Sequence, residues 1–147
     1  MANASQKGRT LKAISVRQPW AWLIVHAGKD IENRRWNSKY RGHLLIHAPS
    51  GMKLEEYEHA VLWLQERQLE VTLPEYSSLV RGAVVGECIV TDWVSFSSSP
   101  WFVGPYGAML DQSKAYSEPI PCKGKLGIWD IPNEFRALIA QQQERLR

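Results

Sequence analysis

Residues 15–35 read SVRQPWAWLIVHAGKDIENRR, and the fold depends on how that run divides. It opens as a strand, turns at Pro19, continues as a short apolar helix to Gly28 and leaves as a charged strand. Proline suits the first turn of a helix, where its missing N–H would have had no partner. Glycine suits the position just past the helix, where a left-handed backbone is cheapest without a Cβ. Trp20, Ala21, Trp22, Leu23, Ile24, Val25 and Ala27 leave almost no polar face, so the helix is expected to be buried. Lys29, Glu32, Arg34 and Arg35 follow at once, and a buried helix is a rigid mount for the charges that succeed it.

Working outward, residues 11–16 alternate as a strand, with Leu11, Ala13 and Ser15 on one face and Lys12, Ile14 and Val16 on the other. After the helix, residues 31–36 read as a strand that places Glu32, Arg34 and Trp36 together. A third strand over residues 43–48 has His43, Leu45 and His47 opposite Leu44 and Ile46. Leu54, Tyr57, Val61 and Leu64 then mark a packing helix over residues 54–69. Residues 82–94 form the longest strand candidate, rich in Val and Ile, with Gly82 and Gly86 predicting bends or bulges. Glu87 on that strand is expected at an opening or paired with a base. WFVGPYG, residues 101–107, suits a flap over a pocket, residues 108–122 read as a hairpin arm, and residues 125–131 as the closing strand. Asn133 is placed as the cap of a final helix through Leu146.

Short strands divided by turns, with two or three helices, predict an α+β domain built on a small β-barrel. The pattern S-x-R-Q-P-W-A, then G-K-x-I-E-x-R, then W-x-x-x-Y-R-G resembles the ASCH (activating signal cointegrator homology) family. It is carried by Ser15, Arg17, Gln18, Pro19, Trp20, Ala21, Gly28, Lys29, Ile31, Glu32, Arg34, Trp36, Tyr40, Arg41 and Gly42. Further matches are His47-Ala48, Gly104-Pro105-Tyr106-Gly107, Lys123-Gly124 and Ile128-Trp129. The resemblance implies a PUA-like barrel of five to six mostly antiparallel strands with a cleft beside the first helix.

A chain of 147 residues fits one domain; residues 11–147 are assigned to it and residues 1–10 to a flexible tail. The N-terminus has no apolar signal core, and the longest apolar run, residues 20–25, falls far short of the ~20 residues that cross a bilayer. Cys88 and Cys122 are isolated, so they are expected to be reduced thiols in a cytoplasm. No HExxH motif, Cys–His cluster or phosphate-binding glycine loop is present, and His43 and His47 would lie roughly 13 Å apart along a strand. Neither a metal nor a nucleotide cofactor is expected. The net charge of +3 permits nucleic-acid binding without demanding it.

The excess of Lys29, Arg34, Arg35, Lys39 and Arg41 over Asp30 and Glu32 suits phosphate, which Arg grips with paired hydrogen bonds. Glu32 and Arg34 share a face, so Glu32 either fixes the Arg by an ion pair or acts catalytically. Trp101 and Tyr106 are the stacking candidates for unpaired bases, with a loop anchored in the core by Trp101 as the alternative. Trp20, Arg35 and Arg41 are further ligand contacts, with Ser15, Arg17 and Gln18 on the floor or rim. The resemblance adds two activities. Some bacterial family members are metal-independent ribonucleases, which would make Lys29 and Tyr40 the groups that stabilise charge and move a proton while Arg34 holds phosphate. Others remove the acyl group from acetylated cytidine with a Lys, a Thr and a Glu; Lys29 matches the Lys, but Glu32 stands where the Thr would be. The expectation is an RNA-binding or nucleotide-binding domain, either a ribonuclease or a binding module without turnover. Oligomeric state is not legible.

Overall fold

A computed structural model describes residues 10–147, so the tail expected over residues 1–10 lies almost wholly outside the described residues. Six strands form one curled half-barrel sheet. In chain order they are β1 (Lys12–Ser15), β2 (Ile31–Arg34), β3 (Gly42–Ala48), β4 (Ala83–Val94), β5 (Tyr106–Pro121) and β6 (Ile128–Asp130). The spatial order is β2-β5-β4-β3-β1-β6. Every pair is antiparallel except β1 with β3, so β1 lies between a parallel neighbour and the last strand of the chain. Three helices complete the domain: α1 (Trp20–His26), α2 (Leu54–Glu66) and α3 (Arg136–Arg145). Among the described residues no helix is long and apolar enough to cross a membrane.

Period-two alternation decides what each face meets. Ile14, Val16, Leu44, Ile46, Cys88 and Val90 pack with Ala21, Ile24 and Val25 of α1. Their neighbours Ala13, Leu45 and Val84 turn to the opposite face, against Trp129 and Ile139 of the α3 side. The first helix is covered on both sides as its sequence predicted. Its other flank, with Leu23 and Trp20, meets Leu64 and Trp63 of α2 and the ring of Trp101. It ends at Ala27, and Gly28 takes φ +74°.

The β4–β5 pairing slips its register at three points, between Val84 and Gly86, Glu87 and Ile89, and Val90 and Asp92. Such bulges curl a sheet by adding local twist. At Gly86 a side chain is excluded by contact: a Cβ there would lie well under 3.0 Å from the Lys114 carbonyl and 2.7 Å from Cγ1 of Val25. Glu87 is paired, its carboxylate reached by His43 Nε2 at 3.1 Å and by the Tyr116 hydroxyl at 2.8 Å. Burial by itself raises its carboxyl, but those hydrogen bonds outweigh burial and hold it below the usual range.

Some boundaries depart from the sequence reading. Residues 106–121 form one continuous strand, an arm paired antiparallel with the preceding β4 as read, but it begins two residues earlier and also pairs with β2 over its first part. The last helix starts at Arg136 after a 3-10 turn at Asn133–Phe135. The Asn133 side chain accepts from Arg136 Nε at 3.1 Å and caps no backbone group.

Candidate functional site

The charges that follow α1 converge on a cleft of about 650 Å³ bounded by the end of β1, the start of α1, β2, α2 and the loop before β5. Lys29 lies at its base with 3% of its surface exposed. Its ammonium donates to the Ile31 carbonyl and stands 3.3 Å from Glu32 Oε1. Glu32 Oε2 accepts from Arg34 Nε at 3.0 Å, and a second Arg34 nitrogen donates to the Ser15 carbonyl at 2.6 Å. One carboxylate thus holds two cations, and the Arg ties β2 across the cleft to β1. Burial pulls the Lys29 amine below its ordinary 10.5, with Glu32 opposing the shift only in part.

The walls are aromatic. The Lys29 ammonium stands 5.9 Å from the Trp20 ring, and Trp20 meets Trp63 edge to face at 5.3 Å. Trp36 also lines the cleft, tilted against Trp93 at 5.2 Å with the Arg34 guanidinium 5.6 Å from its ring. A cation over an indole face is attracted by the ring quadrupole, so these rings steady the cations and leave faces open. Arg17 and Arg35 stand on the rim. The Arg17 fork is gripped by Glu56 of α2 at 2.6 and 2.9 Å, and that hydrogen-bonded pairing raises its already high pKa.

Of the residues singled out from sequence, Ser15, Arg17, Trp20, Lys29, Glu32, Arg34 and Arg35 line this cleft. The others point elsewhere. Gln18 is buried beneath α1, where its amide accepts from the Trp22 N–H at 2.9 Å and donates to the Val80 carbonyl at 2.8 Å. It supplies the polar cap that Pro19 lacks. The Tyr40 hydroxyl donates to the His43 carbonyl under the sheet rim, and burial raises its pKa. That geometry commits its proton to the backbone. Arg41 pairs with Asp92 at 2.7 Å. Trp101 is buried and stacks on Trp63 at 5.9 Å, anchoring its loop and backing the aromatic wall. Tyr106 begins β5 opposite Arg34 and is outside the lining. Among the described residues no three His, Cys, Asp or Glu side chains cluster as metal ligands.

Val16, Asn33, Trp36, His59, Trp63, Val103 and Gly104 complete the lining. The helix read only as packing supplies two of these, His59 and Trp63, one turn apart; that i, i+4 pair was the available signal. Asn33 holds the loop over the cleft: its amide donates to the Trp101 carbonyl at 2.9 Å and accepts from the N–H groups of Val103 and Gly104 at 2.8 and 3.1 Å. Asn33→Ala is expected to release residues 101–104, raising their amide hydrogen exchange at least tenfold while the sheet exchanges as before.

The family model for the ASCH domain matches residues 14–126. The chain belongs to the ASCH domain family. Activating signal cointegrator 1 of Homo sapiens is 33% identical over 75 residues, which covers 48% of this chain and 13% of that protein. Two solved structures of ZmASCH from Zymomonas mobilis, both of single-substitution mutants, share the fold. They superpose with TM-scores of 0.56 and 0.52 at 13% and 14% identity, each covering 90% of this chain and 98% and 96% of theirs. In this ASCH domain the family motif is divided between two jobs. Lys29, Glu32 and Arg34 form the cleft, while Gln18, Tyr40 and Arg41 hold the frame around it.

Proposed function

We propose that this ASCH domain binds single-stranded RNA in the cleft, with a base between the tryptophan walls and a phosphate on the arginines. The observation that carries the reading is Lys29: a fully buried amine, shifted down by burial, at the base of a hollow walled by indoles and rimmed by guanidinium groups. A base finds ring faces for stacking and its phosphate finds forked donors, the combination that single-strand binders use. Family membership and the basic balance of the chain support the same class of ligand.

A second reading, ribonuclease action, draws on the same amine. A Lys with a lowered pKa has more of its neutral form near pH 7 and suits proton abstraction. The Lys29 amine would take the proton of a 2′-hydroxyl as that oxygen attacks the phosphorus; the P–O5′ bond breaks to leave a 2′,3′-cyclic phosphate, the departing 5′-oxygen takes a proton from water, and Arg34 would bear the charge that grows on the phosphate. Tyr40 drops out of this scheme because its hydroxyl serves the backbone.

The test is incubation of labelled single-stranded RNA with wild type and Lys29→Ala in the presence of EDTA. Cleavage that survives chelation, rises with pH and disappears in the variant supports the enzyme. Salt-sensitive binding without cleavage, weakened at least tenfold in the variant, supports a binding module. Absence of both in the wild type removes the proposal.

A further inference from the structure

A second hollow of about 780 Å³ opens on the far side of the Arg17–Arg34 rim and shares Ser15, Arg17 and Arg34 with the first. Its outer wall is the loop Lys123, Gly124, Lys125, Leu126, Gly127, which joins β5 to β6. We infer that this loop is a backbone-phosphate subsite, which holds the nucleotide next to the one seated over Lys29 and so makes the ligand an oligonucleotide. This rests on the cleft being a nucleic-acid site.

Three observations carry it. The two hollows meet at Arg34, whose nitrogens hold Glu32 and Ser15 from the wall common to both. Lys123 and Lys125 are exposed and make no ion pair among the described residues, unlike Lys12, Arg41 and Arg145. The amides of residues 123–127 donate to no protein acceptor among the described residues, whereas the adjoining Cys122 N–H is bonded to Gly82 at 3.0 Å. Successive free amides flanked by cations make an anion-binding concavity, and two glycines let a sugar–phosphate chain approach the backbone.

The loop is also held in position. His47 beneath it is 1% exposed. Its Nε2–H donates to the Cys122 carbonyl at 2.6 Å, and burial holds its pKa below the ordinary value. Its Nδ1 is the buried side-chain atom left without a partner among the described residues, and the residue lines this hollow. Gly124 sits directly on the ring: a Cβ there would fall 2.5 Å from Nδ1. The Ser15 hydroxyl donates to the Lys125 carbonyl at 2.5 Å, fastening the loop to the same strand end that Arg34 grips. The subsite is therefore built on the floor of the first cleft. Its ligand chemistry is a phosphodiester, which RNA and DNA share.

The experiment is a salt titration of binding to a labelled mixed-sequence single-stranded RNA, the same sequence as DNA, and a pool of nucleoside monophosphates. Lys123→Ala/Lys125→Ala is expected to weaken oligonucleotide binding roughly tenfold and to lower the salt slope by about 1.4, as for two lost phosphate contacts on a single strand. Monophosphate binding should be unchanged. Gly124→Ala should reproduce the oligonucleotide loss by lifting the loop off His47, and the lysine variant keeps the test intact if that protein fails to fold. An RNA loss without a DNA loss assigns the subsite to RNA, and equal losses assign it to either backbone. Oligonucleotide affinity and slope equal to wild type in the double lysine variant, with Arg34→Ala still weakened, overturns the subsite and leaves the cleft. Indifference to both changes overturns the cleft as well.

Discussion

Glu32→Ala is expected to lower the unfolding free energy by about 3–5 kcal/mol, because it strips a buried cation of its counter-charge. For a domain of this size that is a fall of roughly 10 °C in melting temperature. Glu32 is the carboxylate that touches both Lys29 and Arg34, and Lys29 is only 3% exposed, at the base of the cleft. Without it the folded chain must hold a bare ammonium or release the proton. The pH dependence separates this cause from lost packing. The Lys29 value already lies below 10.5 in the folded state and drops further when Glu32 is removed. Above that folded value the native protein has shed a proton that the unfolded chain keeps until about 10.5, so stability gains as pH rises across the interval. The deficit of the variant, measured by urea unfolding, should shrink from neutral pH towards 10. A deficit independent of pH would mean that the carboxylate is not compensating Lys29.

Gly86→Ala is the second large effect, about 2–3 kcal/mol of destabilisation from overpacking. The added methyl meets the Lys114 carbonyl, which belongs to the facing strand and has no rotamer to change, and Val25 of α1. The sheet and the helix must separate, and the helix carries the cleft with it: Lys29 follows shortly after its end, with its N–H bonded to the Leu23 carbonyl at 3.1 Å. RNA affinity should therefore fall with stability, although Gly86 is outside the cleft lining. Adding Val25→Ala should recover part of the loss and no more, because the carbonyl clash persists. Thermal unfolding and binding below the transition measure both.

The helix that mounts the site was legible because its boundaries are written in local chemistry, Pro19 at one end and Gly28 at the other, with apolar residues all round between them. Strand faces were legible for the same reason: alternation put Ala13 and Leu45 on one side and Ile14 and Leu44 on the other, as packed. The cleft was harder to read. The run of cations after the helix suggested Arg41 and the family resemblance suggested Tyr40, but residues 35–41 leave β2 and carry those side chains to His43 and Asp92. Gln18 sits in the family motif and still faces inward, since an amide that satisfies a helix N–H and a carbonyl looks no different in sequence from one that binds a ligand. The reverse failure is α2. The i, i+4 spacing puts His59 and Trp63 on one face, but that this face meets the cleft depends on a fold that brings residues 39 positions apart into a salt bridge, and no local pattern encodes that meeting.

Ser15 ends a strand laid down near the beginning of the described chain, yet its hydroxyl receives the Trp129 indole N–H at 3.1 Å from a position 114 residues later. β1 has β6 along one of its edges. A ribosome making this protein therefore releases the whole cleft sequence well before the strand that braces its floor exists. Until β6 emerges, a nascent chain carries an open β-edge beside Ser15, the kind of surface on which holding chaperones act. On the function proposed above, RNA binding comes only with the completed domain, so the emerging chain has no finished cleft with which to seize the message being translated.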